Sequence, residues 1–233
     1  MIALPIVNWT LGDPALTYGI ILSVLLQTAA VLSELLRHWS HSKVLTTVLI
    51  VAMVTWLVEA IGTATGVPFG VYDYTAKLQP QLAHVPLLIP LAWLMMLPPA
   101  WAVASRLVGR FRGPAFIALS ALAMVAWDLF LDPQMVNWGL WEWQNGGAYF
   151  GIPLSNYLGW FLTAALVTLL IEWIVKPESF LTKPFILIYA TTWVLQSIGV
   201  AILWGMPGPA FFGFLGMGCL LLLPVLRGGK VQA

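Results

Sequence analysis

The chain has 233 residues, of which 61% are hydrophobic and only 8% are charged. Soluble domains carry about 25% charged residues, so this composition excludes a soluble globular protein and indicates an integral membrane protein. The net charge of +1 gives no reason to expect a nucleic acid partner, and the single cysteine, Cys219, excludes an intrachain disulfide.

Seven apolar segments of about 20 residues predict seven transmembrane helices. In chain order they lie at 15–36, 44–61, 86–107, 114–132, 153–175, 184–204 and 208–226. Proline is tolerated in the first turn of a helix, and four prolines stand at or near these starts: Pro86, Pro114, Pro153 and Pro184. We therefore predict one all-α polytopic membrane domain that covers residues 1–233.

The basic residues predict the orientation of these helices. Nine of the ten Lys and Arg residues fall on one side of the predicted bundle: Arg37, Lys43, Arg106, Arg110, Arg112, Lys176, Lys183, Arg227 and Lys230. Lysine and arginine are enriched in cytoplasmic loops, so we expect the N-terminus outside and the C-terminus inside. The expected location is the plasma (inner) membrane, as a multi-pass protein.

Four of the nine acids are expected to be solvated or interfacial: Asp13, Glu34, Glu172 and Glu178. Helical spacing allows Glu34 to pair with Arg37 or His38, and Glu172 to pair with Lys176. These acids therefore carry no functional prediction.

The other five acids map to the outer half, in the second and fourth helices and the loops that follow: Glu59, Asp73, Asp128, Asp132 and Glu142. Lys77 and His84 are the only basic residues that the sequence places near them, so ion pairs cannot neutralise all five acids. Helix C-termini and burial both disfavour a charged carboxylate, so the helical members are expected to stay protonated and able to act as general acids. Pro133 predicts that the helix ends at Asp132. Hydrogen bonding of helix ends and loops is the alternative role for any one of them.

Two loop motifs resemble each other. FGVYDY at 69–74 and WGLWEW at 138–143 share the order aromatic, glycine, aliphatic, aromatic, acid, aromatic. Asp73 and Glu142 are 69 positions apart, and so are Glu59 and Asp128. This offset predicts that the second and third helices recur as the fourth and fifth, related by an axis along the membrane normal. The two loops would then face each other across one pocket.

Aromatic residues are dense between 138 and 160: Trp138, Trp141, Trp143, Tyr149, Tyr157 and Trp160. An interfacial belt explains Trp9, Trp39 and Trp173 better than it explains this cluster. Aromatic faces stabilise cations by about 0.5–2 kcal/mol each, so proton donors within aromatic walls suit a reaction through a carbocation. Asn156 adds a neutral group that can hold a water molecule.

Three segments, EAIGTATGVPFGVYDY, WDLFLDPQMVNWGLWEW and YFGIPLSNYLGW, resemble motifs of the membrane carotenoid biosynthesis proteins that include carotenoid 1,2-hydratases. The resemblance covers about residues 55–175. It implies hydration of the terminal C1=C2 double bond of an acyclic carotenoid such as lycopene, without a cofactor or a metal. The implied partners are the carotenoid, water and the lipid bilayer, with other enzymes of the pathway as candidates.

Protonation of C2, a tertiary cation at C1 and addition of water fit the residues described above. We expect Asp128 to donate the proton, with Glu59 as its counterpart in the other repeat. Asp73, Asp132 and Glu142 are expected to place the water or accept its proton. The expected substrate-binding residues are Tyr72, Tyr74, Trp138, Trp141, Trp143, Tyr149, Asn156 and Trp160.

Other functions use parts of the same pattern. A carotenoid cyclase or isomerase would use the same acid and exclude water, and a proton-coupled transporter would use the acids as a relay. DLFLD is a DxxxD motif, as in intramembrane prenyltransferases, but only Lys77 is nearby to bind a diphosphate. A retinal photoreceptor would need a lysine in mid-membrane, and no segment has one.

Overall fold

The computed structural model describes residues 3–177 and 182–226, and Glu178, Arg227 and Lys230 lie outside these ranges. These ranges contain eight α-helices: α1 (Ala3–Leu11), α2 (Asp13–His38), α3 (His41–Thr65), α4 (Leu88–Val108), α5 (Pro114–Asn137), α6 (Leu154–Leu170), α7 (Thr182–Ile198) and α8 (Pro207–Leu226). Two π-helical turns continue α6 and α7, at Ile171–Val175 and Gly199–Leu203. The described part of the chain also has four short strands: β1 (Tyr72–Tyr74), β2 (Gln81–Leu82), β3 (Val85–Pro86) and β4 (Trp141–Trp143).

The prediction of an all-α protein with seven spanning helices is confirmed. Within the described ranges, α2 to α8 are each long and apolar enough to cross a bilayer. The short helix α1 was not predicted. Local sequence sets several boundaries, since Ser40 accepts a hydrogen bond from the Lys43 backbone N–H at the start of α3. Gly66 and Gly109 end α3 and α4 in the left-handed conformation that glycine adopts without strain.

The helix α4 lies at the centre of the bundle. Around it, α2 packs on α3, α3 on α6, α6 on α5, α5 on α8, and α8 on α7. Among the described residues, α7 and α2 share no extensive contact, although both pack on α4. The ring of helices is therefore open on one side.

The helix α5 continues past Asp132, so the prediction that it ends there is wrong. Pro133 lies inside the helix, which runs to Asn137. Proline removes one helical hydrogen bond and leaves the carbonyl four residues earlier, that of Leu129, without its N–H donor. The Tyr149 hydroxyl donates to this carbonyl at 3.0 Å. A side chain from the next loop thus replaces the lost bond, as membrane helices require.

One of the two predicted interfacial ion-pair groups is present in the structure. Glu34 lies 3.5 Å from Arg37 and 3.2 Å from His38, as predicted. Glu172 does not pair with Lys176, so that prediction is wrong. Its carboxylate accepts from the backbone N–H of Gly113, at the start of α5. Lys176 lies just past the end of the π-helical turn that contains Glu172, in the left-handed conformation, so the helical spacing on which the predicted pair depends ends before it.

The strands β1 and β4 join the two motifs that resemble each other in sequence. They are antiparallel, with Asp73 opposite Glu142. Beyond the strands, the Thr75 N–H donates to the Leu140 carbonyl and the Gln144 N–H donates to the Val71 carbonyl, both at 3.0 Å. Thr75 and Gln144 are 69 positions apart, and so are Val71 and Leu140, so each bond is the counterpart of the other in the repeat. The two loops therefore pair with local two-fold symmetry. Superposition of the helices, and the side of the membrane on which the loops lie, stay predictions.

Candidate functional site

A cavity of about 430 Å³ opens next to these loops. Its wall is mainly apolar, and it is completed by two acids, a few neutral polar groups and several tryptophans. The lining comes from every spanning helix except α8, and from α1 and the loops: Leu4, Ile20, Ser23, Val24, Gln27, Glu59, Phe69, Tyr72, Tyr74, Leu78, Leu88, Ile89, Ala92, Trp93, Met95, Trp127, Leu131, Asp132, Met135, Trp138, Trp141, Trp143, Asn156, Trp160, Leu187, Ile188, Thr191, Thr192, Leu195 and Gln196. A mostly apolar pocket with a few convergent polar groups is typical of a site for a lipophilic ligand.

Glu59, on α3, is one of the two cavity acids. The hydroxyls of Tyr72 and Tyr74 both donate to its Oε2 atom, Tyr74 at 2.8 Å. Burial and the charge of Glu59 raise the pKa of both phenols above the usual range, so they act as hydrogen-bond donors. Asp132 adds to this effect on both tyrosines, which places the two acids in one site.

Asp132 and Asp128, one turn apart on α5, form the second acidic group. The side-chain N–H groups of Asn156 donate to Asp132 and, at 3.1 Å, to Asp128 Oδ2. The two carboxyls are also within reach of a mutual hydrogen bond. Only Asp132 lines the cavity, whereas Asp128 lies behind it with Oδ1 unpartnered. Both side chains are buried.

Aromatic rings surround these acids. Trp93 from α4 stacks on Trp160 from α6 with ring centroids 4.2 Å apart, and Trp127 meets Trp160 edge to face. Across the strands, Tyr72 lies 5.7 Å from Trp143 by ring centroids. The cavity wall therefore combines indole rings with tyrosine side chains.

Two glycines allow the β1 loop to reach the helices. A Cβ atom at Gly62 would lie 2.7 Å from the ring of Phe69, and one at Gly159 would lie 2.6 Å from it. Phe69 is thus wedged between α3 and α6, and the Trp143 indole N–H donates to its carbonyl at 3.1 Å. This wedge fixes the loop that carries Tyr72 and Tyr74.

The structure does not bring Asp73 and Glu142 into the site. Both are exposed, and Asp73 accepts a hydrogen bond from Gln144 at 2.8 Å. Side chains alternate between the two faces of a strand. The aromatic residues on either side of each acid line the cavity, so the acid between them points away from it. The paired loops lie side by side, not across a pocket from each other.

Seven of the eight predicted substrate-binding residues line the cavity: Tyr72, Tyr74, Trp138, Trp141, Trp143, Asn156 and Trp160. Tyr149 does not, because its hydroxyl bonds the Leu129 carbonyl. Sequence reasoning missed Trp93, whose long apolar helix offered no signal beyond the ring itself. It also missed Gln196, although a polar residue within an apolar segment is a signal that could have identified it.

Lys77 does not neutralise the acids. Its ammonium group donates to the Trp138 carbonyl at 2.7 Å and lies 3.8 Å from the exposed carboxylate of Asp13. Within the described ranges, no Lys, Arg or His lines the cavity. The cavity acids are therefore held by neutral donors.

A comparison with known proteins adds a relationship to this geometry. The family model described as "Carotenoid biosynthesis protein" matches residues 19–220. A bisanhydrobacterioruberin hydratase from Haloarcula japonica is 33% identical over 118 residues, which are 49% of this chain and 40% of that protein. The chain thus matches less than half the length of this relative, and no solved structure matches it. Because the family model covers most of the sequence, the chain belongs to the carotenoid biosynthesis protein family.

Proposed function

We propose that the protein hydrates the terminal C1=C2 double bond of an acyclic carotenoid. The observation that carries this proposal is an apolar cavity in which two separately held groups of carboxyls meet stacked tryptophans. Membership of the carotenoid biosynthesis family and similarity to a named hydratase support a reaction of this kind.

The proton donor in this proposal is Asp132. Two carboxyls close together in a dry site, without a cation, more readily share one negative charge than carry two. Asp132 and Asp128 therefore hold one proton between them, and Asp132 is the member that lines the cavity. Transfer of this proton to C2 breaks the π bond and leaves a tertiary cation at C1.

The aromatic walls stabilise this cation. Trp93, Trp127 and Trp160 form one cluster near the acids, and each exposed ring face contributes about 0.5–2 kcal/mol toward a cation. Both carboxyls of the Asp128–Asp132 pair are charged once the proton has left, and the cation beside them offsets their repulsion. Both effects act where charge develops and so lower the barrier to protonation.

Glu59 is the base in this proposal. Two phenol donors on one oxygen, Oε2, fit an anionic carboxylate, and in this proposal the other oxygen, Oε1, accepts the proton from water. Water attacks C1 as its proton passes to Glu59, and a proton then returns from Glu59 to Asp132 through water. The alkene and one water molecule thus give a tertiary alcohol, and both acids regain their starting states. No electron acceptor is required by this balance.

The test is turnover by purified protein in lipid nanodiscs loaded with lycopene, without added nucleotide or flavin. Hydration gives a product heavier by one water molecule, and its new oxygen comes from ¹⁸O-labelled water. A cyclase or an isomerase gives a product of unchanged mass. Absence of the labelled alcohol with lycopene and with other acyclic carotenoids would refute the proposal.

A further inference from the structure

The side chain of Gln196 is a polar group of the cavity wall to which the proposed reaction gives no role. It lies on α7, is only 1% exposed, and lines the cavity together with Asp132 and Glu59. Neither its Nε2 nor its Oε1 atom has a hydrogen-bond partner in the protein. Buried polar groups are nearly always paired, so this amide indicates a position that a polar group of a ligand completes.

Gln196 lies at nearly the same depth in the bundle as Asp132. Trp138 directly follows the last residue of α5, and Trp204 directly follows the π-helical turn that continues α7. The two rings meet with centroids 4.6 Å apart, so both helices end at one level. Asp132 lies six residues before Trp138 and Gln196 lies eight residues before Trp204. The helical rise makes this a difference of roughly 3 Å in depth, so the amide belongs to the reacting end of the cavity.

The other hydrogen-bond donors at this end are already engaged. The sequence favoured Asn156 to hold a water molecule, but its side-chain N–H groups donate to Asp132 and Asp128. The tyrosine hydroxyls of β1 donate to Glu59. Gln196 thus supplies a donor and an acceptor that no protein group occupies. The end group of an acyclic carotenoid is a hydrocarbon, so the polar reactant that fits this amide is water.

We propose that Gln196 binds the water molecule that attacks C1 and so determines whether the cation is hydrated. Water has two hydrogens and two lone pairs, and a carboxamide can take one of each: Oε1 accepts a hydrogen, and Nε2 donates to a lone pair. The second hydrogen is then available to Glu59, and the second lone pair to C1. The proposal rests on the proposed function, and it makes Gln196 the residue that separates hydration from a reaction that excludes water.

The experiment follows the fate of the cation in Gln196→Leu, with protein in nanodiscs that hold lycopene in D₂O. Asp132 then delivers a deuteron to C2. A cation that water captures becomes the alcohol, whereas a cation that returns a proton from C2 to the aspartate pair becomes lycopene with one deuterium. Mass spectrometry measures both products, so their ratio reports capture of the cation separately from its formation.

The ratio of alcohol to deuterated lycopene is expected to fall about ten- to hundredfold in Gln196→Leu, the range for loss of a hydrogen bond at a buried site. Gln134→Leu is the matched control. Gln134 is equally buried on α5 but does not line the cavity, so its replacement should leave the ratio unchanged. An unchanged ratio in Gln196→Leu, whatever the overall rate, would overturn the proposal and assign the amide to the fold. Absence of the alcohol with the parent protein would instead refute the proposed hydration, and this inference with it.

Discussion

Replacing Asp132 by asparagine tests the assignment of the proton donor most directly. Asparagine has the same shape, and its side-chain oxygen can still accept from Asn156, so the fold should be retained. It has no carboxyl proton to give. The variant therefore removes the chemistry and keeps the packing.

The expected loss in kcat is about 10²–10⁴-fold, the usual contribution of a general acid, which corresponds to about 2.7–5.4 kcal/mol in the barrier. The affinity for carotenoid should stay close to that of the parent, because most of the cavity wall is apolar and unchanged. Initial rates of alcohol formation in nanodiscs give kcat, and fluorescence quenching gives the affinity. Asp73→Asn makes the same chemical change on the exposed face of β1 and should leave both quantities unchanged.

Asp128→Asn distinguishes the two aspartates. The variant keeps the cavity-facing carboxyl and removes only its neighbour, so we expect a smaller loss in kcat than for Asp132→Asn. The sequence alone favoured Asp128 as the donor, and a larger loss at Asp128 would restore that assignment. Asp132→Asn activity within fivefold of the parent would refute the argument from the cavity lining and leave Glu59 as the next acid to test.

Two further variants test the fold. Tyr149→Phe leaves the Leu129 carbonyl without its donor, so we expect a loss of about 1–3 kcal/mol in stability and a lower Tm, with kcat unchanged at low temperature. A full loss of activity with unaltered Tm would contradict the structural role of Tyr149. In a Cys219→Ala background, a membrane-impermeant maleimide applied to intact cells should label Glu142→Cys and not Arg110→Cys. The reverse pattern would invert the predicted topology.

The sequence was sufficient to predict the spanning helices and most of the cavity. A long apolar segment crosses a bilayer as a helix, because its backbone groups must be hydrogen-bonded within the segment. The sequence therefore predicts each spanning helix. The acids Glu59 and Asp132 stood out because carboxyls are costly there, by roughly 2.5–3.5 kcal/mol on insertion scales. Aromatic residues clustered in the loops pointed to the same end of the bundle.

What the sequence could not supply was the direction of side chains in irregular segments. The sequence does not separate Asp73 and Glu142 from the helical acids, because a loop motif does not show whether it forms a strand. Pro133 predicts a helix end, and the hydroxyl of Tyr149 that compensates for the lost bond lies 16 residues further along the chain. Both errors concern contacts that form only when distant segments meet.

The opening between α2 and α7 has a consequence for how such an enzyme would be measured. If the substrate enters and leaves along the bilayer, the quantity that sets the rate is the mole fraction of pigment among the lipids. Adding lipid at fixed amounts of protein and carotenoid would then slow the reaction, although nothing in the aqueous phase changes. Collisions with a neighbouring membrane enzyme would likewise occur in two dimensions, so a pigment could pass between them without ever crossing water.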